Sequence, residues 1–445
     1  VKDALGRVDD DILGTLGPPG RALGAVFLLL LGVLALAAYA WAHQLRTGLG
    51  VAGYRPPIQW AVYITNFVFW VGIAHSGTLI SAVLYLLRAR WRTAVSRAAE
   101  AMTVFAVMTA GLFPIIHLGR PWLFYWLMPY PNQRQLWINF RSPLIWDVFA
   151  ISTYLIVSAL FLYVGLIPDL ATARERSKQP LRTLYSLLAL GWRGTAAQWR
   201  HYRALYGLLA AFATPLVVSV HSVVSWDFAM ALLPGWHSTI FAPYFVAGAI
   251  FSGLAMVLTL LIPLRRLYRL EAYVTPWHFD NAAKLILVTS LIVSYAYVME
   301  FVVAFTRAGP FERGTFLDRA TGVYAPLFWA MVFCNCLLPL SLAFRAVRRS
   351  IPALFVISLL INVGMWLERF VIIVSSLAHD FQPSVWWGMY RPTWVELSIT
   401  AGSFAWFLLW FLAFLRFFPP LPMSELKEAS VHAAALDAPP RGAAA

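Results

Sequence analysis

Two short stretches place an imidazole, a guanidinium and a carboxyl at the ends of neighbouring apolar segments. His117-Leu118-Gly119-Arg120-Pro121-Trp122 closes one segment, and Ser142-Pro143-Leu144-Ile145-Trp146-Asp147 opens the next. Ionisable groups at lipid depth are expensive and usually functional. A carboxylate and an imidazole at the two oxygens of a dihydroxy ring could fix it and accept its protons as it loses two electrons, which is the chemistry of a quinol site. Burial makes the charged form of either group costly, so both can exchange protons. Arg120 could orient the carboxylate or a ring oxygen. The structural alternative is that His117 and Arg120 only cap a helix while Asp147 pairs with Arg120 or Arg141.

Local signals support helix ends at these places. Gly119 and Pro121 read as a C-terminal stop. Ser142 reads as an N-cap and Pro143 as a first helical residue. His117 then lies in a last turn, and Asp147 about one turn inside the next helix.

Other ionisable residues fall in the same half of the apolar layer. His75 sits in Ile73-Ala74-His75-Ser76-Gly77-Thr78, His221 and Asp227 near the end of another segment, and Glu300 after Tyr295 and Tyr297. Glu368-Arg369 and His379-Asp380 follow. Together they predict a proton route leading outward from the pocket, or across the membrane, with interhelical pairs such as Glu368 or Glu300 with Arg369 as the alternative. The other half looks poorer, with Lys284 and Asn281 near the start of one segment.

The elements that must position these groups are membrane helices. A hydrophobic fraction of 60%, a mean hydropathy of +0.70 and 12% charged residues exclude an ordinary soluble domain. Apolar runs exceed the ~18–20 residues needed to cross a bilayer. Ten spans are expected, at about 24–44, 58–87, 99–118, 143–166, 204–226, 241–263, 281–305, 325–344, 351–375 and 396–417. The fold class is therefore an all-α integral membrane protein, with a polar arm over 1–23, a membrane domain over 24–418 and a tail over 419–445. The arm shows no cleavable signal peptide. The tail, rich in Pro and Ala, is expected to be disordered unless a partner orders it.

The net charge of +14 follows topology rather than nucleic acid. Arginines concentrate in the even-numbered connections, such as Arg88, Arg90, Arg92 and Arg97, or Arg174, Arg176, Arg182 and Arg193. The positive-inside rule places these connections and both termini in the cytoplasm. Leu181 to Trp199 interleaves apolar and basic residues and is expected to lie as an interfacial helix. Cys334 and Cys336 lie two residues apart on one span and do not face each other, so they read as core residues. No helix carries two histidines about 13–14 residues apart, the spacing that stacks two haems, and His75, His117 and His221 lie on different helices, which leaves open only a single haem; no Cys cluster, phosphate loop or dinucleotide fingerprint is present. No metal or haem is therefore expected in this chain, and a partner must receive any electrons.

These motifs resemble the NrfD/PsrC family of quinone-interacting membrane subunits, and within it the quinol-binding membrane subunits of bacterial alternative complex III. The resemblance runs through Tyr63-Ile64-Thr65-Asn66-Phe67-Val68-Phe69-Trp70, through the His117 and Asp147 motifs, and through Gly364-Met365-Trp366-Leu367-Glu368-Arg369-Phe370. It implies two four-helix bundles with two peripheral helices, and a quinol pocket near the periplasmic side. His117 and Asp147 match the family's histidine and aspartate, Arg120 belongs to the same motif, and His75 falls in a helix facing the pocket. The substrate would be menaquinol or ubiquinol. Implied partners are a periplasmic iron–sulphur subunit, a paralogous NrfD-like chain, c-type cytochrome subunits and lipid, in a bacterial cytoplasmic membrane. Two other classes stay open: a proton or ion transporter without redox chemistry, and a structural anchor for a soluble oxidoreductase. Quinone reduction in the reverse direction would use the same residues.

Overall fold

The computed structural model describes residues 2–17, 20–127, 142–378 and 388–436. Among these residues there are ten helices long and apolar enough to cross a membrane. An amphipathic helix α1 (Lys2–Gly14) precedes the first, α2 (Arg21–Thr47). Then come α3 (Val62–Leu86), α4 (Ser96–His117), α5 (Pro143–Arg176), the short α6 (Leu181–Leu188) and α7 (Ala196–Ala229). The chain continues through α8 (Phe241–Leu267), α9 (Pro276–Thr306), the non-spanning α10 (Pro310–Thr321), α11 (Ala325–Ala343) and α12 (Ile351–Ser375). It ends with α13 (Trp394–Phe417) and α14 (Met423–Leu436). All ten expected spans coincide with these helices.

The packing follows burial. Helix α3 is almost wholly buried, and it touches α4 and α7 on one side and α8 and α12 on the other. It is thus the shared wall between the α3, α4, α5, α7 group and the α8, α9, α11, α12 group. Helices α2 and α13 pair at the periphery. Small residues let helices approach closely: a Cβ on Gly77 would fall 2.3 Å from the Ala99 carbonyl oxygen, and one on Gly364 2.3 Å from Asn335 Oδ1.

Two helices outrun their hydropathy. Helix α5 continues to Arg176 because a buried ion pair satisfies Asp169, a charge that a hydropathy window counts as loop, and α7 begins at Ala196, ahead of its apolar run. Arg97 Nη2 lies 2.7 Å from Asp169 Oδ2 and also donates to the Gly165 carbonyl at 2.9 Å. Tyr206 Oη donates to Glu100 Oε1 at 2.8 Å. This cluster corrects the expectation of a polar-poor half. The interfacial helix is shorter than expected: α6 stops at Leu188, and Leu190, Gly191 and Gly194 take positive φ in the turn before α7. Thr195 and Gln198 then form a capping box, which starts α7 cleanly.

The tail also departs from expectation up to Leu436. Helix α14 docks on the arginine-rich face, where the Ser424 amide donates to Asp169 Oδ1 at 3.0 Å and Arg92 pairs with Glu425. Lys427 Nζ lies 2.6 Å from Asp9 on α1. The partner that orders this part of the tail is the chain's own N-terminal helix and loop ends.

Candidate functional site

Helix α4 ends at His117 because Gly119 adopts a φ of +68°, where a side chain is strained, and because a Cβ there would strike Leu49 at 2.6 Å. Helix α5 starts at Pro143, with Ser142 at the N-cap in an extended conformation; its side chain makes no capping bond. These ends bring His117 and Asp147 to one cavity of about 310 Å3. Asp227, near the end of α7, lines the same cavity, and its carboxyl is within hydrogen-bonding reach of Asp147. It therefore lies beside Asp147 in the cavity.

The remaining walls are mostly apolar, including Trp60 just before α3, Ile64 and Phe67 of α3, and Val148 and Ile151 of α5. Against them stand three polar atoms that find no partner among the described residues: His117 Nδ1, Asp147 Oδ1 and Asp227 Oδ1. Buried polar atoms are normally hydrogen-bonded, so three orphans in one apolar cavity mark a place where a polar ligand group fits. The volume lies at the lower end of small-molecule pockets, which run roughly 300–1,000 Å3.

The cavity opens sideways between α4 and α5. Gly111 lines it, is exposed, and would have nothing within 4 Å of an added Cβ. Leu144 and Ser152 are also exposed at this rim. A proline at position 114, inside α4, lacks the amide that would close the ladder there. The mouth therefore faces the lipid region.

Sequence reasoning missed Tyr54, which lies in the loop before α3. Its ring packs edge-on against His117 with centroids 5.5 Å apart, and its hydroxyl has no hydrogen-bond partner among the described residues. Burial, followed by the nearby Glu396 carboxylate, pushes this phenol well above its ordinary pKa, so it stays a hydrogen-bond donor. An aromatic residue in a loop carries no spacing signal that would have found it.

The other expected residues separate into distinct places. His75 does not line the cavity. It is buried deeper, with Nδ1 3.1 Å from His221 Nδ1 and its ring 4.4 Å from that of Tyr154. Tyr154 lies two turns beyond Asp147 on α5, so this histidine pair sits roughly 10 Å along the helix axis from Asp147, past the inner end of the cavity at Ser152. The Nε2 atoms of both histidines lack partners. Arg120 is exposed and forms no ion pair among the described residues. Arg369 Nη1 pairs with Glu368 Oε1 at 2.7 Å, while Glu368 also accepts from Tyr297, whose hydroxyl accepts from Asn335 at 3.0 Å. Glu300 lines a second cavity of about 840 Å3, together with Glu312 and His237. His379, Asp380 and Arg141 lie outside the described residues.

Residues 50–379 match the family described as "Polysulphide reductase, NrfD". The chain is also similar to a putative dimethyl sulfoxide reductase membrane subunit of Halobacterium salinarum, at 27% identity over 442 residues, covering 92% of this chain and 95% of that protein. It is similar to a selenate reductase subunit of Mesobacillus selenatarsenatis, at 20% identity over 241 residues, covering 53% of this chain and 54% of that protein. The chain belongs to the NrfD family of membrane proteins.

Proposed function

We infer that this NrfD-family chain is the quinol-oxidising membrane subunit of an oxidoreductase complex. The carrying observation is the convergence of His117 Nδ1, Asp147 Oδ1 and Asp227 Oδ1, all unpartnered, on one apolar cavity open to lipid. Quinol, as menaquinol or ubiquinol, enters between α4 and α5. One ring hydroxyl donates to His117 and the other to Asp147. The paired carboxyls of Asp147 and Asp227 take a proton between them, and His117 takes the second. The two electrons leave to an iron–sulphur centre in a partner subunit on the His117 face. Arg120, exposed beside this face, is better placed to meet that partner or a lipid headgroup than to orient the ring.

The distribution of arginines among the loops supports a periplasmic position for that face in a bacterial cytoplasmic membrane, with both termini cytoplasmic. The names of the two relatives favour electron flow from quinol to a terminal reductase. The motif resemblance favours a complex of the alternative complex III type, with a paralogous membrane chain and c-type cytochromes. Either assembly uses the same pocket.

Coupling to proton translocation draws support from the first helix group. The Arg97–Glu100–Asp169 cluster, the Thr103–Tyr154 region, the His75–His221 pair and the Asp147–Asp227 cavity succeed one another across the membrane. Release of more than two protons per quinol by the reconstituted complex is expected; release of two alone removes the translocation reading.

The quinol reading itself is tested with the native complex carrying Asp147→Asn. Rapid mixing with quinol, followed by EPR of the partner's iron–sulphur centres, should show lost reduction at normal cluster content. Unchanged reduction would return the motif pair to helix capping and packing.

A further inference from the structure

A groove unrelated to the quinol cavity runs along the outside of the second helix group. One chamber of about 930 Å3 and another of about 420 Å3 meet at Thr259, Leu260 and Leu408, between α8, α12 and α13. The walls are overwhelmingly apolar. The wider chamber begins at the arginine-rich face, where Arg265, Arg266 and Glu271 form its rim. Arg265 Nε donates to the Val274 carbonyl at 2.6 Å, which fixes its direction, and Arg266 is exposed. Neither guanidinium has an acidic partner among the described residues.

The depth of the groove identifies its occupant. Along α8 it extends from Leu267 to Met256, roughly 16 Å at the helical rise per residue. Half of a ~30 Å hydrocarbon layer is about 15 Å. The groove stops where Trp366 Nε1 donates to Asn66 Oδ1 at 2.7 Å and Asn66 Nδ2 donates to Thr400 Oγ1 at 2.8 Å, a crosspiece tying α12, α3 and α13 together. A transmembrane helix of another subunit would need a seat through both leaflets. A quinol head would need the titratable groups that this inner end lacks.

We propose that this groove is a binding site for a phospholipid with an anionic headgroup, with its acyl chains in the two chambers and its phosphate at Arg265 and Arg266. Basic pockets between transmembrane helices bind such headgroups on the cytoplasmic side. The site holds one leaflet's lipid against the wall that α8 shares with α3.

The test uses the full chain purified from membranes with its accompanying subunits, delipidated and then titrated with dioleoyl-phosphatidylglycerol or dioleoyl-phosphatidylcholine. Native mass spectrometry counts the bound lipid. The wild type should prefer phosphatidylglycerol by roughly tenfold, on the scale of two basic contacts. Arg265→Gln with Arg266→Gln should erase that preference, and Leu408→Trp, filling the junction, should weaken both lipids. Equal binding of the two lipids by wild type overturns the proposal, as does a preference that survives the double substitution. A cryo-EM map of the wild type in phosphatidylglycerol nanodiscs needs no variant: lipid density in the groove supports the site, and a protein helix or an empty groove there overturns it.

Discussion

Two clusters of buried ionisable residues, one in each four-helix group, treat charge in opposite ways. In the α3, α4, α5, α7 group, Asp147, Asp227 and His117 face an apolar cavity with atoms left unpartnered. In the α8, α9, α11, α12 group, Glu368 and Arg369 face each other, Tyr297 and Asn335 complete the network, and the Arg369 guanidinium lies 4.2 Å over the Phe245 ring. The residue types are comparable and both sets lie at membrane depth. A charge that has found its counterion within the fold stabilises packing; a polar atom left open at a lipid-facing mouth is available to a ligand. Residue type alone does not separate these cases, whereas partner geometry does.

Breaking the first region should cost chemistry. Asp147→Asn is expected to slow quinol oxidation by ~100-fold or more in an assembled complex, the range of a lost general base; stopped-flow reduction of the complex reads it. Asp227→Asn should fall close behind, at ~10–100-fold. If the two carboxyls act as a unit, the double variant will be hardly slower than Asp147→Asn alone, whereas multiplying effects would separate them. Gly111→Leu improves a helix interior but fills the open mouth, so it should raise the apparent KM for quinol about tenfold with a smaller change in kcat. An unchanged KM would move the access route elsewhere.

The second region should respond in the reverse sense. Glu368→Gln leaves Arg369 without its counterion and should destabilise the protein by about 3 kcal/mol, as for other broken buried pairs. Its quinol oxidation rate, measured on the surviving folded fraction, should change by less than about threefold, which is under about 0.7 kcal/mol of barrier. A hundredfold loss of rate with normal stability would erase the contrast between the two clusters.

The sequence carried the spans and the helix ends because both are local. Hydropathy located the helices, Gly119 and Pro143 marked their boundaries, and adjacency in the chain joined His117 to Asp147. What escaped depends on distant contacts. Asp227 joins Asp147 only because α7 packs against α5, and the His75–His221 pair needs α7 to pack against α3. Arg97 looked like a loop charge because its counterion, Asp169, lies beyond the next apolar run. The ordering of residues 423–436 rests on contacts with Asp9, Arg92 and Asp169, none of them near in sequence.

The most direct test of the central claim is binding rather than turnover. A fluorescent quinol analogue, such as a heptyl-hydroxyquinoline N-oxide, is titrated into the purified complex while its quenching is followed, for wild type, Asp147→Asn and Glu368→Gln. The account predicts saturable binding that weakens about tenfold or more in Asp147→Asn, as expected for a lost charge-assisted hydrogen bond, and stays near wild type in Glu368→Gln. Equal affinity in wild type and Asp147→Asn, or loss confined to Glu368→Gln, would contradict it.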